Sequence, residues 1–271
     1  MVTDVRRASS AANVRRCDGL LIVHCCLCVG RTNAVILDIE GTIAPVSFVA
    51  DVLFPYAMRE VRRHLQDTWH HPETRSCLAE LQSYLDADGY TTPQPSSTEE
   101  QMLDLVSSAL IDMMAKDKKY TPLKRLQGAI WRSGYEKKEL VADVFDDLVH
   151  SLQRWTSRGI KVYIYSSGSR EAQGLLFGHT QYGDLRRYIS GYFDTMVGPK
   201  NDANSYQEIA LSIGEPNTSK ILFATDLHAE AEAASQAGIR AVLVVRPGNK
   251  PLPSAHEFPT VHDTSEFDAL L

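Results

Sequence analysis

The chain has 271 residues, 44% of them hydrophobic and 23% charged, a mixture that supports one large α/β domain or a core domain with an insertion. Its 34 acidic against 28 basic residues leave a formal charge of −6, which argues against a nucleic-acid surface, so an anionic substrate would be drawn in by local groups: a metal, a lysine or backbone N–H donors. No run reaches the ~18 apolar residues that span a bilayer, so neither nucleic acid nor membrane is expected as a partner.

Residues 1–32 read as a variable leader without order. Four of the five cysteines (Cys17, Cys25, Cys26 and Cys28) crowd it, and Cys77 is the fifth. A disulfide framework would spread its cysteines through the fold, so a reducing compartment is expected: the cytoplasm, with a nuclear fraction left open. The apolar stretch Gly19 to Gly30 is short for a bilayer span, and although it follows four arginines, Asp4 and Asp18 dilute that basic region and no clean cleavage site precedes Ala34, which speaks against a secretory signal. Cys25 to Cys28 contains one CxxC beside His24, weak evidence for zinc without a second pair.

The continuous apolar run Ala34-Val35-Ile36-Leu37 has the character of a buried parallel strand, and it ends in Asp38. A helical stretch follows. Val49 to Trp69 predicts a helix bent or restarted at Pro55, and Glu73 to Asp88 a second. Gly89 to Ser97 is a loop, Thr98 and Gln101 form a capping box for a helix to about Lys116, and Thr121-Pro122 opens another through Tyr135. Residues 48–140 are therefore expected to be an all-helical insertion. A helix from Asp143 to Arg158 stops at Gly159, and strands Ile160–Tyr165, Lys220–Thr225 and Ala241–Val245 alternate with helices beginning at Ser169, Ser205 and just after Asp226. That alternation implies an α/β fold with a parallel, doubly wound sheet, its core formed by 33–47 and 141–271.

Three strands end in polar residues that such a sheet brings together beyond its carboxyl edge: Asp38 with Glu40, Ser166 with Ser167, and Asp226. Lys200 lies in the loop region between the second and third. Taken singly, each has a bland explanation: a loop cap, a turn, a solvated lysine. Their order, with Gly41-Thr42 after Asp38, makes chance a poor account. His179 is expected to pack a helix end, His228 to be exposed, and Trp131 and Tyr135 to be helical core rather than substrate contacts.

The order D-x-[DE]-G-T, strand-end serine, lysine, strand-end aspartate resembles the signature of haloacid dehalogenase-type phosphatases. The runs ILDIEGT (36–42), FPY (54–56), LQGAIWR (126–132), KVYIYSSGSREAQGLLFGHT (161–180), GYFDT (191–195), ILFATD (221–226) and VVRPGN (244–249) resemble the enolase-phosphatase (acireductone synthase) family of methionine salvage. The likeness covers about Val35 to Phe267 and is weakest from Glu73 to Glu100.

It implies a Rossmann-like core with a helical cap, one Mg²⁺ per subunit, a monomer, and a small phosphorylated diketone as substrate. That substrate, 2,3-diketo-5-methylthiopentyl 1-phosphate, is enolised and then dephosphorylated to the acireductone. Asp38 is implied as nucleophile, Asp38, Glu40 and Asp226 as metal-binding, Lys200 as catalytic and substrate-binding, and Ser166 and Ser167 as phosphate-binding. Glu40 stands where most of the superfamily has an acid/base aspartate, so metal ligation and proton transfer both remain open for it. The enolisation base is Glu40 or a cap residue. Glu230, one turn beyond Asp226, is expected to hold metal-bound water or orient Lys200. A phosphomonoesterase for another substrate, a metal-free dehalogenase and a silent scaffold are the alternatives; intact motifs speak against the last.

Overall fold

The computed structural model describes residues 31–91 and 96–271. All of the cysteine-rich leader except Arg31 and Thr32, with its CxxC and apolar stretch, lies outside the described residues. Thr32 itself is buried, its N–H donating to the carbonyl of Leu271. Among the described residues, no helix is long and apolar enough to cross a membrane.

Among the described residues, six parallel strands form one sheet: β1 (Ala34–Leu37), β2 (Lys161–Tyr165), β3 (Gly191–Phe193), β4 (Ile221–Thr225), β5 (Arg240–Val244) and β6 (Thr260–Val261), in the order β3-β2-β1-β4-β5-β6. The first three run one way from the centre and the last three the other, so the order reverses between β1 and β4. In sheets of this kind the crevice for a ligand opens beyond the strand ends at that reversal. β1 is buried at every position because both faces are covered. Val35 and Leu37 join the cluster on one face, while Ala34 and Ile36 face Tyr206, Ile209 and Ala231 on the other.

The helices are α1 (Phe54–Thr68), α2 (Pro72–Ala87), α3 (Glu99–Ala115), α4 (Thr121–Glu136), α5 (Asp146–Ser157), α6 (Arg170–Gly178), α7 (Ala203–Ile213) and α8 (His228–Gln236). The expected restart at Pro55 is there, with a physical cause. Pro55 has no N–H to offer the carbonyl of Asp51, and Phe48–Leu53 widens into a π-helical turn in which Phe54 N–H reaches the carbonyl of Val49. The Thr98–Gln101 capping box has both of its bonds. Two details differ from the expectation. Tyr120, not Thr121, caps α4, so the proline follows an N-terminus without a side-chain cap; and α5 begins at Asp146, three residues later than its pattern. Strands β3 and β6, of three and two residues, are too short for a periodic signal. The buried cluster on the Val35 face continues unbroken into α1, α3 and α4 through Val61, Leu65, Leu110 and Ile130.

One buried ion pair ties the sheet to its surroundings at the carboxyl edge. Arg246, just past β5, donates to both oxygens of Asp147 at 2.6 and 3.0 Å, and to the carbonyls of Thr42 and His262. Its guanidinium also lies 4.2 Å from the ring centre of Phe145. The loop after β1, the start of α5 and the C-terminal segment are therefore fixed by one side chain. Burial works against ionised Asp147, but Arg246 and the N–H of Thr264 outweigh it and hold its carboxyl below the usual range. A carboxyl so lowered stabilises the fold fully above its unfolded pKa of about 4, and loses that contribution as pH falls through the lower folded value. Asp147→Ala is expected to cost about 3–5 kcal/mol at pH 7, because it leaves Arg246 buried and unpaired. Urea titrations at pH 7 and pH 3 check this, the gap between variant and parent narrowing at the lower pH; an equal gap at both would mean the pair carries no ionic contribution.

Candidate active site

Sheet register sets the height of the strand-end residues. Leu37 pairs with Ile164 on one side and Ala224 on the other. Asp38 therefore leaves the sheet level with the last residues of β2 and β4, and Ser166 and Asp226 stand one step beyond. The N–H of Asp38 still donates to the carbonyl of Ala224 at 3.0 Å, which fixes its backbone. These residues meet because β1 is the central strand, although Ser166 and Asp226 each lie more than a hundred positions from Asp38 in the chain.

Lys200 comes to this edge from the loop between β3 and α7. Its Nζ lies 2.5 Å from Asp38 Oδ1 and 2.7 Å from Glu230 Oε2, and all three side chains are about nine-tenths buried. Thr225, the last residue of β4, donates its hydroxyl to the same Glu230 oxygen at 2.7 Å. The lysine loop is held by three hydroxyls on three successive carbonyls: Tyr165 on Gly198, Ser205 on Pro199 and Tyr206 on Lys200, at 2.7 to 2.9 Å. Gly198 needs to be glycine, with φ +137° and the Ser205 hydroxyl where a Cβ would stand. Burial disfavours the ammonium, but Asp38 and Glu230 reverse this and hold Lys200 above its ordinary value. Burial first, and the charge of Asp38 second, push the Glu230 carboxyl up.

Asp226 is pushed up to about 6, by burial and then by the charge of Asp38, with Lys200 opposing. It packs against Gly41, where a Cβ would fall 2.6 Å from Asp226 Oδ2 and 2.8 Å from Asn249 Oδ1. Gly41 is also at φ +72°, so its identity is required twice over. Asn249 donates to the carbonyls of Gly41 and Val244, while its buried Oδ1 has no protein partner. Among the described residues, no three His, Cys, Asp or Glu side chains converge closely enough to hold a metal ion by themselves. Magnesium does not require such a cage, since it is commonly held by one or two carboxylates with water and phosphate oxygens completing its shell. Mutually repelling Asp38 and Asp226 carboxylates, beside an orphaned amide oxygen, are the hard-oxygen environment that such an ion fits.

Ser166 is buried and Ser167 exposed. The Ser166 hydroxyl accepts from Gly168 N–H at 3.2 Å, and Ser169 caps α6 by accepting from Ala172 N–H. This serine-glycine turn thus ends at a helix N-terminus, whose free N–H groups favour anions. Glu40 is exposed at the crevice, yet the surrounding protein withdraws enough water to push its carboxyl up, with Asp38 adding to the effect and Lys200 opposing it. Glu40 and Ser166 both line a small, mainly apolar cavity of about 70 Å³, closed by Leu53, Trp131, Tyr135 and Leu176. A larger cavity of about 370 Å³ lies among α1, α2 and α4 and holds none of the strand-end residues.

Asp38, Lys200, Ser166 and Asp226 are thus brought to one edge, with Ser167 and Glu40 at its rim. His179 ends α6 as expected, its Nδ1 2.9 Å from the carbonyl of Leu175 and its ring stacked on Tyr135. His228 is half-buried rather than exposed, edge-on to Phe258. Thr225, Tyr165, Ser205 and Tyr206 carried no sequence signal for a site. Their role depends on carbonyls across the sheet that no spacing reveals.

A haloacid dehalogenase-like hydrolase family model matches residues 32–238. The chain is 46% identical over 249 residues to a Sorghum bicolor protein named probable bifunctional methylthioribulose-1-phosphate dehydratase/enolase-phosphatase E1, covering 89% of this chain and 48% of that one. It is 48% identical over 240 residues to the Arabidopsis thaliana protein of the same name, covering 86% and 47%. The chain spans about half the length of the curated relatives it matches. Among solved structures, the UTR4 protein of Saccharomyces cerevisiae superposes with a TM-score of 0.70 at 34% identity, over 86% of this chain and 98% of that one.

The buried triad yields a test that needs no substrate. Lys200→Met leaves Asp38 and Glu230 without their shared cation and is expected to cost about 3–5 kcal/mol at pH 8 in the presence of a chelator. Adding Glu230→Gln should then recover part of the loss. A double variant no more stable than Lys200→Met alone would show that charge is not what Lys200 balances.

Proposed function

The chain belongs to the haloacid dehalogenase-like hydrolase family, and on that premise we propose that it is an enolase-phosphatase of methionine salvage. The observation that carries the hydrolytic half is the buried contact between Asp38 and Lys200 at the reversal of strand order. The names of the plant relatives supply the enolase half, and the substrate, 2,3-diketo-5-methylthiopentyl 1-phosphate, is the one the sequence resemblance implies.

Asp38 attacks phosphorus in line. Its Oδ–P bond forms as the bond from phosphorus to the C1 oxygen breaks, giving an aspartyl-phosphate that water then hydrolyses to free phosphate. Repulsion between a carboxylate and a phosphate dianion is the main obstacle. Lys200 opposes it from a site where its charge is already fixed, so little reorganisation accompanies the reaction. Ser166, Ser167 and the N–H groups beyond them hold the phosphate oxygens. Glu230 and Thr225 orient Lys200. Asp38 and Asp226 would hold a Mg²⁺ ion beside Glu40 at the rim, and when bound the ion offsets phosphate charge and polarises carbonyl oxygen. Glu40, at the rim and lining the apolar cavity, is placed for proton transfer as well. Residues 48–140 act as the cap that closes over the diketone.

Incubating the protein with the diketo phosphate, with and without Mg²⁺, and following enol absorbance and phosphate together tests the reading. Magnesium-dependent enol followed by phosphate is expected. Asp38→Asn should lower phosphate release by at least about 10³-fold. Phosphate from simple esters but none from the diketone would reduce the enzyme to a phosphomonoesterase, and turnover by Asp38→Asn would refute the nucleophile.

A further inference from the structure

Two residues that line the small cavity with Glu40 and Ser166 each carry a buried polar atom without a protein partner. Tyr135, on α4, is 3% exposed, and its hydroxyl makes no hydrogen bond. Gln173, on α6, is 1% exposed; its amide nitrogen donates to the carbonyls of Gly168 and Phe193 at 2.8 Å each, while its oxygen is unsatisfied. Because both bonds of the nitrogen are made to carbonyls, the free atom is an acceptor. Buried polar groups are nearly always satisfied, and leaving one unpaired costs about 1–3 kcal/mol. Two such groups from different helices, lining one cavity beside the strand-end residues, call for a ligand that satisfies both.

We infer that the Tyr135 hydroxyl is a catalytic hydrogen-bond donor to the substrate carbonyl oxygen that enolises, with Gln173 Oε1 accepting from the hydroxyl which that same oxygen becomes in the enol. One donor and one acceptor match an oxygen that accepts as carbonyl and enolate and also donates once it is the enol hydroxyl. The inference rests on the enolase-phosphatase reading above. In the enolisation, the C–H proton passes to a carboxylate base and its electron pair becomes part of the new C=C bond. The former carbonyl oxygen gains negative charge and then takes the proton back as enol. Tyr135 gives up no proton; its hydrogen bond strengthens as the oxygen becomes charged. Burial pushes the phenol up, so it remains a donor throughout the neutral range. The ring itself is fixed by stacking on His179, 5.0 Å between centres, which aims the hydroxyl independently of substrate. Apart from Glu40 and Ser166 the rest of the lining is apolar, with Val49, Leu53, Trp131, Leu175 and Leu176 among its larger members, and about 70 Å³ has room for a short unbranched chain.

Tyr135→Phe removes the hydroxyl and keeps the ring. In the full chain with Mg²⁺, enol formation from the diketo phosphate is expected to slow about 10- to 100-fold. Hydrolysis of p-nitrophenyl phosphate should lose at least tenfold less than that. Melting temperature should stay the same or rise, since the lost group had no partner. A variant that enolises at the parental rate overturns the inference, as does an equal loss on both substrates. A melting temperature lowered by several degrees also overturns it, because the hydroxyl would then have an internal partner. If the parent hydrolyses the simple ester but never enolises the diketone, the functional reading fails and this inference with it. If the parent enolises and Tyr135→Phe does too, this inference alone fails.

Discussion

Burying one ammonium between two carboxylates at the end of a parallel sheet is the constraint around which this site is organised. Such a cluster survives desolvation only if every charge is met at short range. Lys200 meets Asp38 and Glu230 at 2.5 and 2.7 Å, and Thr225 takes up part of the remaining capacity of Glu230. The required precision accounts for the hydroxyl bonds that fix the Lys200 loop and for the glycine at 198. It also fits a surplus of negative charge on the Asp226 side, where burial and the charge of Asp38 push the carboxyl up and a cation would relieve the repulsion.

The scaffold supplies that precision by depth rather than by number of bonds. β1 is covered on both faces, so Asp38 emerges from a strand with no freedom to shift register, and Gly41 turns the chain at once to bring Asp226 and Asn249 against it. Arg246 closes the same edge from the other side by taking the carbonyl of Thr42. The helices that roof the crevice share the hydrophobic cluster of the sheet face, so Trp131 and Tyr135 sit above the site on a packed base rather than on a free loop.

Much of this was legible in the amino-acid order. The apolar run before Asp38, the strand ending in Asp226 and the Ser166 turn gave the central strands and the catalytic edge, because a doubly covered strand must be apolar throughout and the polar residue that follows must lie at its end. The capping box at Thr98 was equally plain. What escaped had no local pattern. β3 and β6 are too short to show a period, and the start of α5 is set by where Arg246 takes hold of Asp147. Tyr135 reads as helix core because its ring is core; only the unpaired hydroxyl says otherwise, and hydrogen-bond satisfaction is a property of three-dimensional neighbours.

The position of β1 has a consequence for how the molecule assembles. The residues that meet Ala34 on its two sides are Lys161 and Ile221, so the central strand is made long before either neighbour exists. The helices from Phe54 to Glu136 can form and pack on one another in the interval, since their contacts are local. Closing the sheet around β1 is then an encounter between distant parts of the chain, of the sort that slows folding and leaves an apolar strand unpaired while it waits. A nascent chain of this protein would depend on protection of Val35, Ile36 and Leu37 until β2 and β4 emerge, and the same three residues are where a failed folding attempt would begin to aggregate.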